Sequence, residues 1–262
     1  MGLIRGGTVV IVSILLLISF LVTVSILTLS SSLKYENVKE GLSPIIKETI
    51  QQESGGLPIG NNLSMIEQYC KNNSEFVFSE GIYIVTIPCE IAKQGNDAII
   101  EKGINDVINE SYYKNYDCSF FDCLQKPGAP FSLVSQGAYE YWKSKFYLAL
   151  VLSIILVIAL FLLVENKSNA FILSGALLIV SSLPLFGLKN IAGFFVDKSI
   201  LKFLSVFFAQ ASSVFYKALI VGIVLLSIGI IIKFVGVSMK ISDFINKFHK
   251  GDKTTLPKRK SK

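Results

Sequence analysis

Histidine is almost missing from this 262-residue chain, with His249 the only one. A triad built on imidazole, or a common His-containing zinc site, therefore lacks its material. Arginine is nearly as scarce, at Arg5 and Arg259, and Trp142 is the only tryptophan. Charge as a whole is thin: 17% of residues, against roughly 25% in soluble globular chains. No G-x-S-x-G, Walker loop or H-E-x-x-H occurs. Gly55, Gly56 and Gly60 lack a following Lys-Ser/Thr pair and read as a loop rather than a phosphate cradle.

What the sequence has instead is apolar residues, 52% of the total, gathered into blocks. Residues 8–29, 146–164 and 170–188 carry no charge at all. Residues 218–232 are also uncharged, and the run continues through Lys233 to Val237. About 20 apolar residues in a helix cross about 30 Å of hydrocarbon, and a terminal Lys can snorkel to the headgroups. Four spans are predicted. A fifth stretch, 191–209, carries Asp197, Lys198 and Lys202. Each costs about 2.5–3.5 kcal/mol near a helix centre, while its eleven large apolar residues return roughly 0.3–0.6 kcal/mol each. Insertion comes out neutral to unfavourable, so this stretch reads as an amphipathic interfacial helix.

The charge falls into segments. Residues 31–145 hold ten Lys and fifteen Asp or Glu, whereas 233–262 hold nine Lys or Arg and two Asp. Short basic flanks stay cytoplasmic and long domains translocate largely regardless of charge. Both termini are therefore expected in the cytoplasm of a cell-membrane protein, with 31–145 outside. Tyr139, Tyr141, Trp142, Phe146 and Tyr147 then fall at the outer interface, where amphipathic rings are favoured. The first run is longer than a signal h-region and lacks an A-x-A exit, so it reads as an anchor.

All four cysteines, Cys70, Cys89, Cys118 and Cys123, lie in the part expected outside (31–145), which reads as two disulfides. Four cysteines allow three pairings; Cys70–Cys89 with Cys118–Cys123 is favoured. The same part reads as a helix over 33–53 continuing the first span, with Pro44 bending or interrupting it. A hairpin follows over 76–87, then a helix over 96–113 with Ile100, Ile104, Val107, Ile108 and Ser111 on one face. Residues 125–130 read as a Pro/Gly linker. Asn62, Asn72 and Asn109 head N-x-S sequons.

The predicted fold is a membrane all-α protein: a four-helix transmembrane bundle with a small α+β disulfide-stapled extracytoplasmic domain. Its segments are 1–30 (N-terminus and first span), 31–145 (extracytoplasmic domain) and 146–188 (second and third spans, joined by a short turn). The interfacial helix at 189–215, the fourth span at 216–239 and a polybasic cytoplasmic tail at 240–262 follow. No ionisable residue lies near the centre of any span, which argues against proton relays and ion-coupled transport. Ala218, Gly222, Gly229 and Gly236 fall on one helix face, and small residues let helix backbones approach. Pro184 is expected to kink or end the third span. In the tail, Lys247, Lys250, Lys258, Arg259, Lys260 and Lys262 suit an anionic lipid surface, at about 1 kcal/mol per basic residue.

The stretches Ile87-Pro88-Cys89-Glu90, Tyr116-Asp117-Cys118-Ser119-Phe120-Phe121-Asp122-Cys123 and Tyr141-Trp142-Lys143-Ser144-Lys145-Phe146-Tyr147 resemble an uncharacterised family of archaeal four-helix integral membrane proteins, over residues 1–240 or so. The layout also resembles claudin-type tetraspan proteins in outline, although Trp142 is not beside a cysteine pair. The Cys-Cys-Gly mark of tetraspanins is absent. Neither likeness implies an activity. The expected function is that of a non-enzymatic tetraspan scaffold or adaptor displaying an extracytoplasmic interaction domain. The alternatives are a subunit of an oligomeric pore or channel, or an extracytoplasmic enzyme acting on lipid or envelope precursors. The expected partners are the lipid bilayer, other membrane or surface proteins and further copies of the chain, with no nucleic acid. No catalytic, cofactor-binding or metal-binding residue is assigned, and no cofactor is expected.

Overall fold

A computed structural model describes residues 3–53, 66, 68–80, 83–116, 118, 120–125, 130–194 and 205–251. The chain is mostly helical. In order come α1 (Leu3–Ser32), α2 (Tyr35–Glu53), β1 (Glu75–Glu80), β2 (Tyr83–Pro88), α3 (Cys89–Ala92), α4 (Asn96–Tyr113) and α5 (Phe120–Gln125). A 3-10 turn (Pro130–Val134) leads into α6 (Gln136–Leu163), α7 (Lys167–Phe194) and α8 (Ala211–Gly251). Four helical stretches, Gly6–Ser32, Gln136–Leu163, Lys167–Gly187 and Ser205–Val235, are long and apolar enough to cross a membrane.

The fold divides into two compact units. The first comprises Met1–Leu21, Val151–Ser182 and Tyr216–Lys262; the second comprises Val22–Leu150 and Leu183–Phe215. In the first unit, Leu16 and Phe20 of α1 pack with Leu160 of α6, Val164 just after it and Ala170 of α7. Burial is confined to a stripe. On α6, Ile154, Ile155, Ile158 and Leu162 stay exposed, Leu162 by 73%. On α8, Ile220, Val221, Ile223, Val224, Ile231 and Phe234 do the same. Single exposed apolar residues are ordinary on any protein, but continuous apolar faces need an apolar medium or a partner.

The second unit holds the small sheet and both disulfides. β1 and β2 pair antiparallel from Glu75↔Pro88 to Glu80↔Tyr83. Ile66, Cys70, Ile87, Cys89, Ala92 and Ile99 form a core beneath them. A larger core joins Leu33, Val38 and Leu42 to Ile104, Ile108 and Tyr112 of α4, with Val134, Ala138, Val206 and Phe207. α4 has the bounds the periodicity predicts, and Ile104, Ile108 and Ser111 of the expected face are buried. Ile99 and Tyr112 are buried too, which centres the stripe slightly differently. Gly95 precedes α4 with φ 101° and ψ −179°, a conformation that only glycine adopts without strain.

One expectation needs correction. α2 does not continue α1: the chain breaks at Leu33–Lys34. The Tyr112 hydroxyl donates to the Leu33 carbonyl at 3.0 Å, and the Asn37 amide donates to the Ser31 carbonyl at 2.6 Å. These side chains take carbonyls that a continuous helix would have bonded internally. Pro44 lies within α2 without interrupting it, since a proline removes one backbone donor and this one sits on the exposed side. α7 likewise runs past Pro184 to Phe194. The predicted interfacial helix is described only at its ends. α7 covers its start, a single helical turn spans 205–207, and 195–204 lie outside the described residues.

Candidate functional site

Disulfides join Cys70 to Cys89 and Cys118 to Cys123, with Cα–Cα separations of 5.3 and 5.5 Å. Each closes a local loop. The first ties the turn before β1 to the start of α3. The second holds α5 against the extended stretch that follows α4.

Beside the second disulfide lies an open cavity of about 450 Å³. Its wall combines Tyr113 at the end of α4 and Tyr116 after it with Phe120 of α5, Ser135 just before α6, and Glu140 and Tyr141 in its first turns. Phe120 stacks on Tyr141 with centroids 5.7 Å apart and planes 6° from parallel, and Trp142 stands edge-on to both rings. Ser135 caps α6: its hydroxyl accepts from the Ala138 amide at 3.3 Å and donates to the Ser132 carbonyl at 2.7 Å. The sequence signal for this cap is a serine immediately before a long helical run. The aromatic wall itself depends on the 118–123 loop folding back on α6, and no local pattern announces that.

A second cleft of about 400 Å³ lies between α2 and α4, lined by Glu36, Glu40 and Glu101 with Lys39 and Lys47. Lys47 pairs with Asp97 at 3.3 Å at the surface, where such pairs contribute little. Among the described residues no three His, Cys, Asp or Glu side chains converge as a metal site would require. Burial pushes the Tyr112 hydroxyl up to about 12, assisted by neighbouring Tyr113, Tyr139 and Glu140, so it remains a neutral donor to Leu33. Burial, again with Tyr113, also raises Tyr35.

The glycine face of α8 is in contact with α7. A Cβ built on Gly229 would lie 2.7 Å from Ile172 Cγ1 and 2.9 Å from both the Ile172 nitrogen and the Ser168 oxygen. One built on Gly222 would lie 2.5 Å from Ile179 Cγ1 and 3.1 Å from the Gly175 oxygen. Gly175 meets α8 equally closely, 2.7 Å from the Gly222 oxygen. Ala218 is buried. Gly236, Lys247 and Lys250 belong to α8, described there by its backbone alone. Lys258, Arg259, Lys260 and Lys262 lie outside the described residues. In the same unit the Ser19 and Ser153 hydroxyls bond at 2.8 Å.

Neither disulfide unit nor helical unit has a recognised counterpart: no family model, curated protein or solved structure matches this chain.

Proposed function

We propose that the protein is a four-pass membrane scaffold or adaptor. Both termini are cytoplasmic, and residues 31–145 form an extracytoplasmic domain that other membrane or surface proteins contact. The observation that supports this best is the pairing of two surfaces in one chain. Four long helices expose uncharged apolar faces suited to lipid, and a separate disulfide-bonded unit exposes polar, charged and aromatic residues suited to protein contact. Disulfides persist in oxidising compartments, which supports placing that unit outside. The basic tail supports the same orientation by the positive-inside bias, and it adds attraction to anionic lipid. The groups lining the two cavities are stacked rings, a helix cap and solvated carboxylates, an arrangement suited to adhesion rather than to bond cleavage.

Purification in mild detergent, with identification of co-purifying proteins by mass spectrometry, tests the reading. A stoichiometric membrane or surface partner is expected. A solitary monomer with hydrolytic or transferase activity would overturn it, and a ring-shaped oligomer conducting ions in a planar bilayer would replace it with a pore. Orientation is tested separately with Asn61→Cys and Lys258→Cys. The first should react with a membrane-impermeant thiol reagent in intact cells, and the second only after the cells are opened.

A further inference from the structure

We propose that Asn72 is the N-glycan acceptor of this protein in its folded state, and that Asn109, which heads an identical type of sequon, is not. In an N-x-S sequon the serine hydroxyl must reach the transferase site that holds the asparagine carboxamide, so both side chains must be open to one approach. Asn72 and Ser74 are both exposed, as are Lys71 and Asn73 around them. They sit in the turn between Cys70 and β1, where the backbone is neither helix nor strand. The Asn72 amide donates to the Tyr69 carbonyl at 3.3 Å and the Ser74 carbonyl accepts from Cys89 at 2.9 Å. The backbone is thus anchored, while the Asn72 carboxamide makes no hydrogen bond to any described residue. The neighbouring Asn73 carboxamide, by contrast, is engaged, donating to the Tyr69 carbonyl at 2.9 Å.

Asn109 fails on geometry. It lies inside α4, where residues two apart are turned by about 200° around the axis. Asn109 accordingly faces solvent while Ser111 is only 6% exposed, packed in the core. The Ser111 carbonyl is further fixed by the Tyr116 hydroxyl at 3.0 Å. The last turn of α4 would have to unwind to present both groups together. A further sequon, Asn166-Lys167-Ser168, starts in the short turn before α7 and runs into its first residues. There Ser168 is buried and its carbonyl lies in the contact with Gly229. Asn62 heads its sequon outside the described residues.

The donor is a polyisoprenyl-pyrophosphate-linked oligosaccharide. A bond forms between Asn72 Nδ2 and C1 of the first sugar while the bond from C1 to the phosphate oxygen breaks. The amide proton goes to a carboxylate of the transferase, and the lipid pyrophosphate leaves with the electron pair. In a cell, this assignment rests on the orientation proposed above, because the donor glycan is presented outside the cytoplasm.

The test uses the purified full chain in mild detergent, with a single-subunit oligosaccharyltransferase that accepts N-x-S and its lipid-linked oligosaccharide. Peptide mass analysis should find one oligosaccharide on Asn72 and none on Asn109. The Asn72→Gln chain should lose that mass step, and the Asn109→Gln chain should keep it. An unmodified Asn72, when a synthetic peptide of residues 68–76 is modified alongside, overturns the proposal; so does equal occupancy of Asn109. A second arm expresses the chain in cells that carry such a transferase. Glycan on Asn72 supports both readings. Its absence with Asn61→Cys labelled in intact cells overturns the site. Its absence with Asn61→Cys labelled only after lysis overturns the orientation instead.

Discussion

In the helical unit, backbones touch. Added Cβ atoms on Gly175 and Gly229 would meet main-chain atoms of the facing helix at 2.7–2.9 Å. In the disulfide unit a Cβ added to Gly41 would meet only a side chain, that of Val206, at 3.3 Å. Cohesion there comes from buried Leu, Ile and Tyr and from two covalent bridges. The contrast follows from the surroundings proposed for each. In lipid, an apolar side chain gains little by leaving the solvent, so helices must associate through close shape and short contacts. In water, burying apolar area is itself the driving force, and a unit of this size adds disulfides.

Gly229→Leu should have the largest effect. Beside the Ile172 side chain at 2.7 Å, two backbone atoms lie at 2.9 Å and cannot rotate aside, so α7 and α8 must separate along several turns. Overpacking typically costs 1–3 kcal/mol, and a leucine against main chain should exceed about 3 kcal/mol. Thermal unfolding in detergent measures this, and the loss should be large even for the monomer. Unchanged melting and unchanged size would mean that the two helices are not held by this contact. Gly222→Ala should be milder, since its nearest neighbour is the movable Ile179 side chain.

Removing the disulfides should act on the other unit alone. In the loop-entropy view a bridge between residues 19 apart contributes about 3 kcal/mol and one between residues 5 apart about 2 kcal/mol. Cys70→Ser with Cys89→Ser should therefore destabilise more than Cys118→Ser with Cys123→Ser. Hydrogen exchange resolved by peptide should show the loss around β1, β2 and α4, with α7 and α8 still protected. Equal loss of protection in both would erase the distinction between the units.

These two regions also differ in how far sequence reaches. The four apolar helices are legible because charge is absent over long runs, and that is a property of composition. Helix α4 is legible because its Ile residues repeat with the helical period. The break between α1 and α2 is not, because the group that stabilises it, Tyr112, is 79 residues away. The aromatic cavity is hidden for the same reason: Phe120 and Tyr141 meet only after the chain has closed. Pro44 and Pro184 each lie within a helix that runs on past them, because proline removes a single backbone donor.

The Tyr112 contact can be tested with a proton. Its folded value is raised to about 12 from 10.0. A raised value means the neutral form is favoured by folding. The contribution is complete below the unfolded value and is lost as pH rises from about 10 towards about 12. Unfolding of the disulfide unit followed by tyrosine absorbance should weaken across that window. Tyr112→Phe should flatten the dependence and cost about 1–3 kcal/mol at neutral pH, because the Leu33 carbonyl is left without its partner.

The smallest effect is expected at Trp142, where two contributions oppose. Its ring packs edge-on against Phe120 and Tyr141, so trimming it to phenylalanine sacrifices apolar contact. Its Nε1 is buried and has no hydrogen-bond partner among the described residues. An unmet buried donor costs about 1–3 kcal/mol, and phenylalanine removes that cost together with the nitrogen. Trp142→Phe should therefore shift stability by less than about 1 kcal/mol, whereas Phe120→Ala, which removes the ring that stacks on Tyr141 and meets Trp142 edge-on, should cost about 3 kcal/mol. Denaturation of the two variants side by side measures the difference. A large loss for Trp142→Phe would show that Nε1 has a partner after all, and would move this residue from the packing of the aromatic wall to the hydrogen bonding that anchors it.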